Sequence, residues 1–222
     1  MKEYVEDLVK TNLFAGISQD EIPGLLNCIR ARLAEYEKDE LIIDEGNMVY
    51  DFGIILSGNG RSIKWDASDK VIIITLLGKG SEIGIILAAS IEHKSPVSVH
   101  ALDDVTVLLI PFDRVFARCE KACPGHDRLL RNFINIVAEK GLVLHERIDC
   151  LLKPTVREKV LTYLSRVSCE QHGQTISIPM NRNAMAEYLN VERSALSREL
   201  SQMKRDGLID YHKNSFKLIF ST

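Results

Sequence analysis

From Asp39 to Asp113 the chain is written as short β-rich runs, and this stretch limits the possible folds more than any other. The runs are Leu41–Ile43, Gly53–Leu56, Ser62–Trp65, Val71–Leu77, Ile83–Leu87, Val97–Ala101 and Val105–Ile110. Turn-forming residues separate them at Glu45-Gly46-Asn47, Ser57-Gly58-Asn59-Gly60, Ala67-Ser68-Asp69, Gly78-Lys79-Gly80 and Asp103-Asp104. Short strands at such regular spacing predict a β-sandwich or barrel. The Val71–Ser90 stretch is about as long as a membrane-spanning helix. Lys79, Glu82 and the glycine and serine interruptions argue instead for two buried strands joined by a turn, and no membrane partner is expected.

The flanks follow a different period. Before this stretch, residues 1 to about 35 carry Leu8, Leu13, Phe14, Ile22, Leu25, Leu26 and Ile29 at broadly helical spacing. Gly16 and the Ser18–Glu21 run give a stop and a capping-box start. After Pro111, residues His126–Leu152 make the longest helical candidate, with Leu130, Phe133, Val137, Leu144, Ile148 and Leu151 on 3- and 4-residue steps. A seam of that length either packs on a partner helix, as a dimerisation helix, or lies on the chain's own β-domain. Pro154 ends the helix and marks a domain boundary.

Composition narrows the class. The chain has 222 residues, 45% hydrophobic and 27% charged, enough apolar content for a core and against wholesale disorder. Charge is uneven. Residues 153–222 hold 11 Lys/Arg and 7 Asp/Glu, a net of +4, while the remainder holds 17 and 24, a net of −7. A basic C-terminal third behind an acidic front suits two domains and a polyanionic partner. Five cysteines without paired spacing, and no signal peptide, point to a reducing cytoplasm.

The strongest functional motif lies between Asn181 and Leu208. Asn181 is a good N-cap for a helix over 182–189, and Asn190 tolerates the left-handed turn that follows. A second helix is predicted over Arg193–Arg205 with Gly207 as its stop, and Ala186 is small where two helices cross. This is the helix-turn-helix layout. Arg193, Ser194, Ser197 and Arg198 are predicted on one exposed face near the second helix's start, where such helices meet base edges. Arginine can grip guanine with two hydrogen bonds, and serine permits close approach. Arg182, opening the first helix, is a candidate phosphate contact. Leu208–Tyr211 and Phe216–Phe220 around Lys213-Asn214 read as a hairpin wing. The competing reading is a helical hairpin for protein contacts. Glu199 departs from the pattern, standing late on the second helix where many such motifs keep an apolar residue.

The order of parts resembles the Crp/Fnr family of bacterial transcription regulators over nearly the whole chain. The resemblance rests on Gly46, Gly58, Gly80 and Gly84, on the turns Leu56-Ser-Gly58 and Leu77–Gly84, and on the opening Val191-Glu-Arg-Ser-Ala-Leu-Ser-Arg198. It implies an α+β fold: a cyclic-nucleotide-binding-type β-roll sensor over 1–125, a dimerisation helix over 126–152, and a winged helix-turn-helix DNA-binding domain over 153–222. It also implies a homodimer on a palindromic double-stranded operator, with RNA polymerase as a further candidate partner. Ser194 departs from the family, many of whose members place Glu there, so the operator is not transferable.

The sensor departs more sharply. Cyclic-AMP-binding members use a Gly-Glu pair for the ribose and an Arg-Ser/Thr pair for the phosphate, and here the matching positions hold Ile85 and Ser95-Pro96. An apolar side chain cannot accept the ribose proton, and the phosphate would lack its cation. Cyclic AMP is therefore not expected as the ligand. Ile85, Ile86, Ser95, Pro96, Val97 and Leu144, with His145 on the long helix, outline a mainly apolar pocket for an unknown small-molecule effector. His145 reads as an effector or haem contact, or more plainly as a seam-edge histidine. Cys28 stands alone near the start, and Cys119 and Cys123 supply two ligands, short of the four a cluster takes. No cofactor, metal site or catalytic residue is predicted, with haem and iron–sulfur chemistry kept as minor alternatives. The β-region's His93 and His100, with no carboxylate at matching spacing, do not make a cupin-type enzyme. The alternative is a constitutive or thiol- or haem-responsive DNA-binding regulator without a small-molecule ligand.

Overall fold

A computed structural model describes residues 2–65, 71–117, 124–178 and 180–219. The chain forms two compact units, Met1–Ala138 and Glu139–Thr222. The first opens with α1 (Val5–Leu8) and α2 (Ile22–Cys28), followed by β1 (Arg32–Tyr36), β2 (Leu41–Ile43), β3 (Asp51–Ser57) and β4 (Gly60–Trp65). Then come β5 (Val71–Leu77), β6 (Glu82–Ile83), α3 (Ile85–Ala88), β7 (Ser98–Ala101), β8 (Val105–Pro111) and α4 (Phe112–Phe116). The helix α5 (Pro124–Leu152) begins in this unit and ends in the next.

The strands make two four-stranded sheets, ordered β1-β8-β3-β6 and β2-β7-β4-β5. Alternation sorts β3 between two cores. Phe52, Ile54 and Leu56 face the helical layer with Leu26, Leu108 and Ile110, while Ile55 joins Ile83, Val99 and Val107 in the second core. The β-sandwich expectation and most strand positions hold.

Three expectations need correction. Arg32–Tyr36 falls inside the predicted helical leader, yet it pairs residue by residue with Val105–Leu109 of β8. Leu, Ala and Glu favour helix locally, and non-local pairing overrides them. Ile83–Leu87 is not one strand: β6 ends at Ile83, Gly84 takes φ 67°, and α3 follows. A Cβ at Gly84 would also stand 3.0 Å from Val49 Cγ1. Finally, Val71–Leu77 is a strand but not a buried one. It is an edge strand, and Ile72, Ile73, Ile74 and Leu76 are exposed.

The family-like glycines have a backbone reason. Gly46, Gly58, Gly80 and Gly84 all take positive φ. Gly58 is the most constrained, since a Cβ there would lie 2.3 Å from the Asp104 carbonyl oxygen.

The two halves of the long seam differ in burial. Leu129, Phe133 and Ile136 are buried in the first unit's core, with the Phe133 ring 5.2 Å from Phe52. In the trailing half Leu144 (53%), Ile148 (54%) and Leu152 (75%) are exposed.

The second unit continues with α6 (Val156–Gln171), β9 (Thr175–Ser177), α7 (Arg182–Tyr188), α8 (Arg193–Arg205), β10 (Ile209–His212) and β11 (Ser215–Leu218). Its sheet runs β10-β11-β9. Neither α6 nor β9 is among the elements expected from the sequence, where the stretch between Pro154 and Asn181 is left without one. A signal for α6 is nonetheless present. Thr155 and Glu158 form a reciprocal capping box, with Glu158 N donating to Thr155 Oγ1 at 3.2 Å and Thr155 N to Glu158 Oε2 at 3.1 Å.

Candidate nucleic-acid interface

The α7–α8 pair is built as its residue types require. Asn181 Oδ1 accepts from Ala184 N at 3.0 Å and caps α7. Asn190 takes φ 49°, and the next amide, Val191 N, donates to Ala186 O at 3.0 Å. Ala186 is buried at the crossing, and α8 buries Leu196, Leu200 and Met203. That leaves Arg193, Ser194, Ser197 and Arg198 exposed together on the first turns of α8. Ser201 extends the face by one turn. Its hydroxyl donates to Ser197 O at 2.9 Å and lies 3.5 Å from the Tyr211 hydroxyl. Its i+4 spacing from Ser197 is the signal for it in the sequence.

Arg182 has a second set of partners. Its guanidinium lies 4.9 Å from the Tyr211 ring centroid and 4.7 Å from that of Phe216, and Nη2 donates to Lys213 O at 3.0 Å. Burial pulls its pKa below the ordinary arginine value. Arg182 thus joins the start of α7 to the wing, whose turn residue Lys213 is exposed at φ 52°.

Glu199 is an anchor. Arg157 Nε donates to Glu199 Oε1 at 2.6 Å, and Arg157 Nη2 lies 2.7 Å from Asp206 Oδ2. One guanidinium of α6 therefore holds both the middle and the end of α8. Hydrogen bonds from Gln202 and then Arg157 keep the Asp206 carboxyl below its ordinary pKa.

The residues expected around an effector have different settings within their own units. Ile85 is buried in the helix-facing core, Ile86 is 40% exposed, Pro96 is exposed and Val97 half-buried. Ser95 is buried, and its Oγ donates to Val97 O at 2.6 Å while its backbone pairs with Gly46 and Asn47. Leu144 and His145 are exposed in the other compact unit. A cavity of about 360 Å³ does open in the β-unit, but Arg32, Tyr36, Ile43, Val49, Asp51 and Leu109 are among its lining, and none of the expected residues is.

Cys28 Sγ lies 4.0 Å from Nδ1 of buried His126, whose Nε2 is 2.9 Å from Val115 O. Cys119 and Cys123 lie outside the described residues. Among the described residues no group of three or more His, Cys, Asp or Glu is placed to hold a metal ion, and no helix is long and apolar enough to cross a membrane.

Residues 33–122 match the cyclic nucleotide-binding domain, and residues 158–219 match the Crp-like helix-turn-helix domain. The chain belongs to the Crp/Fnr family. The second match contains α7, α8 and the wing, so the exposed arginine–serine face sits in the family's helix-turn-helix. Among curated relatives, the transcriptional activator protein FnrA of Stutzerimonas stutzeri is 24% identical over 131 residues, covering 57% of this chain and 52% of the relative. The transcriptional activator protein anr of Pseudomonas aeruginosa is 26% identical over 119 residues, covering 51% and 47%. The chain thus spans about half the length of the curated relatives it matches.

Two solved structures agree on the fold. A mutant form of CooA from Carboxydothermus hydrogenoformans gives a TM-score of 0.59 at 17% identity, covering 89% of this chain and 86% of that one. CLP of Xanthomonas campestris, described as a c-di-GMP responsive global regulator, gives 0.58 at 16% identity, covering 92% and 100%.

Proposed function

We propose that this Crp/Fnr chain is a homodimeric, sequence-specific DNA-binding transcription regulator rather than an enzyme, acting in the cytoplasm on a palindromic operator. The observation that carries the reading is the face of α8, where Arg193, Ser194, Ser197 and Arg198 are exposed together above a buried Leu196–Leu200–Met203 stripe. Two copies related by a twofold axis would place these faces in successive major grooves, about one helical turn apart. Arg182 would add a phosphate contact from the wing side. The exposed trailing seam of α5 supports pairing with a second copy. On this reading residues 1–125 sense, 126–152 dimerise and 153–222 bind DNA, with RNA polymerase the partner that turns occupancy into transcription.

Control is proposed to come from an effector other than cyclic AMP. Ile85 stands where a ribose acceptor is needed and is turned into the core, and Ser95-Pro96 offers no cation for a phosphate. A second reading, regulation by a thiol change without a small-molecule ligand, draws support from the Cys28–His126 proximity.

Selection of bound duplexes from a random pool tests the main proposal. It predicts enrichment of an inverted repeat, and no enrichment over competitor would reject it. Repeating the binding with reduced and oxidised protein separates the two modes of control. A thiol regulator changes affinity between them, whereas an effector-controlled one does not.

A further inference from the structure

We infer that the trailing turns of α5 are welded to the winged-helix body, and that Arg166, Tyr163 and Tyr188 are positioning residues that fix the spacing between the two operator half-sites. The inference rests on the homodimeric reading above and deepens it. Every contact involved lies inside the second compact unit.

The weld has three components. Arg166 of α6 donates to the Glu146 carboxylate of α5, with Glu170 at 3.6 Å. The Arg166 guanidinium lies 5.5 Å from the Tyr163 ring centroid, and that ring is 5.2 Å from the Tyr188 ring of α7. Arg147 of α5 lies over Tyr188 at 5.2 Å. Cys150, one turn after Glu146, is 1% exposed in the same core as Leu164 and Leu189. Thus α5 is tied to α6 by charge, to α7 by a guanidinium on a ring, and to the common core by a buried thiol.

The helical wheel separates this weld from the seam. At about 100° per residue, counted from Glu146, Cys150 lies about 40° and Arg147 about 100° round the axis. Leu144, Ile148 and Leu152 lie about 160°, 200° and 240° round it. One face of the same turns grips the chain's own DNA-binding body, and the opposite face is left for a second copy. Contacts at neighbouring positions on one face resist both sliding and rolling of α5. Arg157 then passes the constraint from α6 to α8 through Glu199 and Asp206. In the dimer, the distance and rotation between the two α8 helices are therefore set within this unit.

Duplex geometry makes this measurable. Each base pair added between half-sites turns one against the other by about 35°, from the 10–10.5 base pairs of a turn. A welded body cannot follow that rotation, and a loosened one can.

The test uses the full chain and its selected operator with the central spacer unchanged, or lengthened or shortened by one or two base pairs. Affinity for a single half-site and the sedimentation mass are measured alongside. Wild type should prefer one spacer by about tenfold or more, the scale of one mismatched base pair. Arg166→Ala and the milder Glu146→Gln should cut that ratio severalfold, leaving half-site affinity and dimer mass unchanged. Arg166→Lys should restore part of the ratio, since it keeps a cation for Glu146. The inference is overturned if both loosening variants keep the wild-type ratio, if they lose half-site and full-operator affinity by one common factor, or if a dimeric wild type binds every spacer alike. A wild type that stays monomeric or prefers no duplex rejects the homodimeric reading itself, and this inference with it.

Discussion

Arg198 is exposed on α8, whereas Arg182 is half-buried over two aromatic rings, and the two should respond differently to substitution. Arg198→Ala should weaken binding to the selected operator by about 1–3 kcal/mol, the worth of a bidentate base contact, with little change on competitor duplex. An equal loss on every duplex, measured by fluorescence titration, would make Arg198 a phosphate contact instead. Arg182→Lys keeps a charge but not the planar stack or the fork that reaches Lys213 O. It should lower the urea midpoint by an amount equivalent to about 0.5–2 kcal/mol, the range for cation–π pairs from exposed to desolvated. A pure phosphate contact would leave the midpoint unmoved. The face on α8 was legible because its residues recur at helical spacing in a single element. The stacking of Arg182 was not, because its partners Tyr211 and Phe216 come from the wing and reach it only through tertiary folding.

At the scale of elements, α8 is held by Arg157 through Glu199 and Asp206. These side chains are partly exposed, so water screens the pairs and each adds little to global stability. Arg157→Met should therefore leave the unit folded but lower amide protection factors in the trailing turns of α8. Acid should act in the same direction. Asp206 titrates below its ordinary value of 3.8 in the folded chain, so its contribution is complete above that pH and is lost as pH falls through the lowered pKa. Protection factors in α8 that are unchanged by Arg157→Met and flat below pH 4 would contradict this anchoring. Glu199 looked out of place in the sequence because its partner lies 42 residues away. The strand Val71–Leu77 was legible as β from its branched residues, but its exposure was not. A continuous apolar run ordinarily marks a strand covered on both faces, and this one lies at a sheet edge. Ile83–Leu87 misled for a related reason: a short apolar run does not distinguish strand from helix, and the left-handed Gly84 decides.

Over the whole molecule, α5 divides its work. Its leading half completes the β-unit's core through Phe133, and its trailing half is gripped by the winged-helix body on one face and exposed on the other. The sequence displayed one seam, and the fold buries its leading half and leaves its trailing half exposed, a distinction that depends on which neighbours each half meets. Ile148→Glu puts a charge into the exposed stripe without touching the weld. It should shift the sedimenting species from dimer to monomer and abolish palindrome binding while preserving the circular dichroism spectrum. A dimer that survives this change would place the interface elsewhere. The most direct test of the account is a hydroxyl-radical footprint of the full chain on its selected duplex. Two protected segments related by a twofold axis, with centres about 34 Å apart, are predicted. A single protected segment, or uniform protection along the duplex, would contradict it.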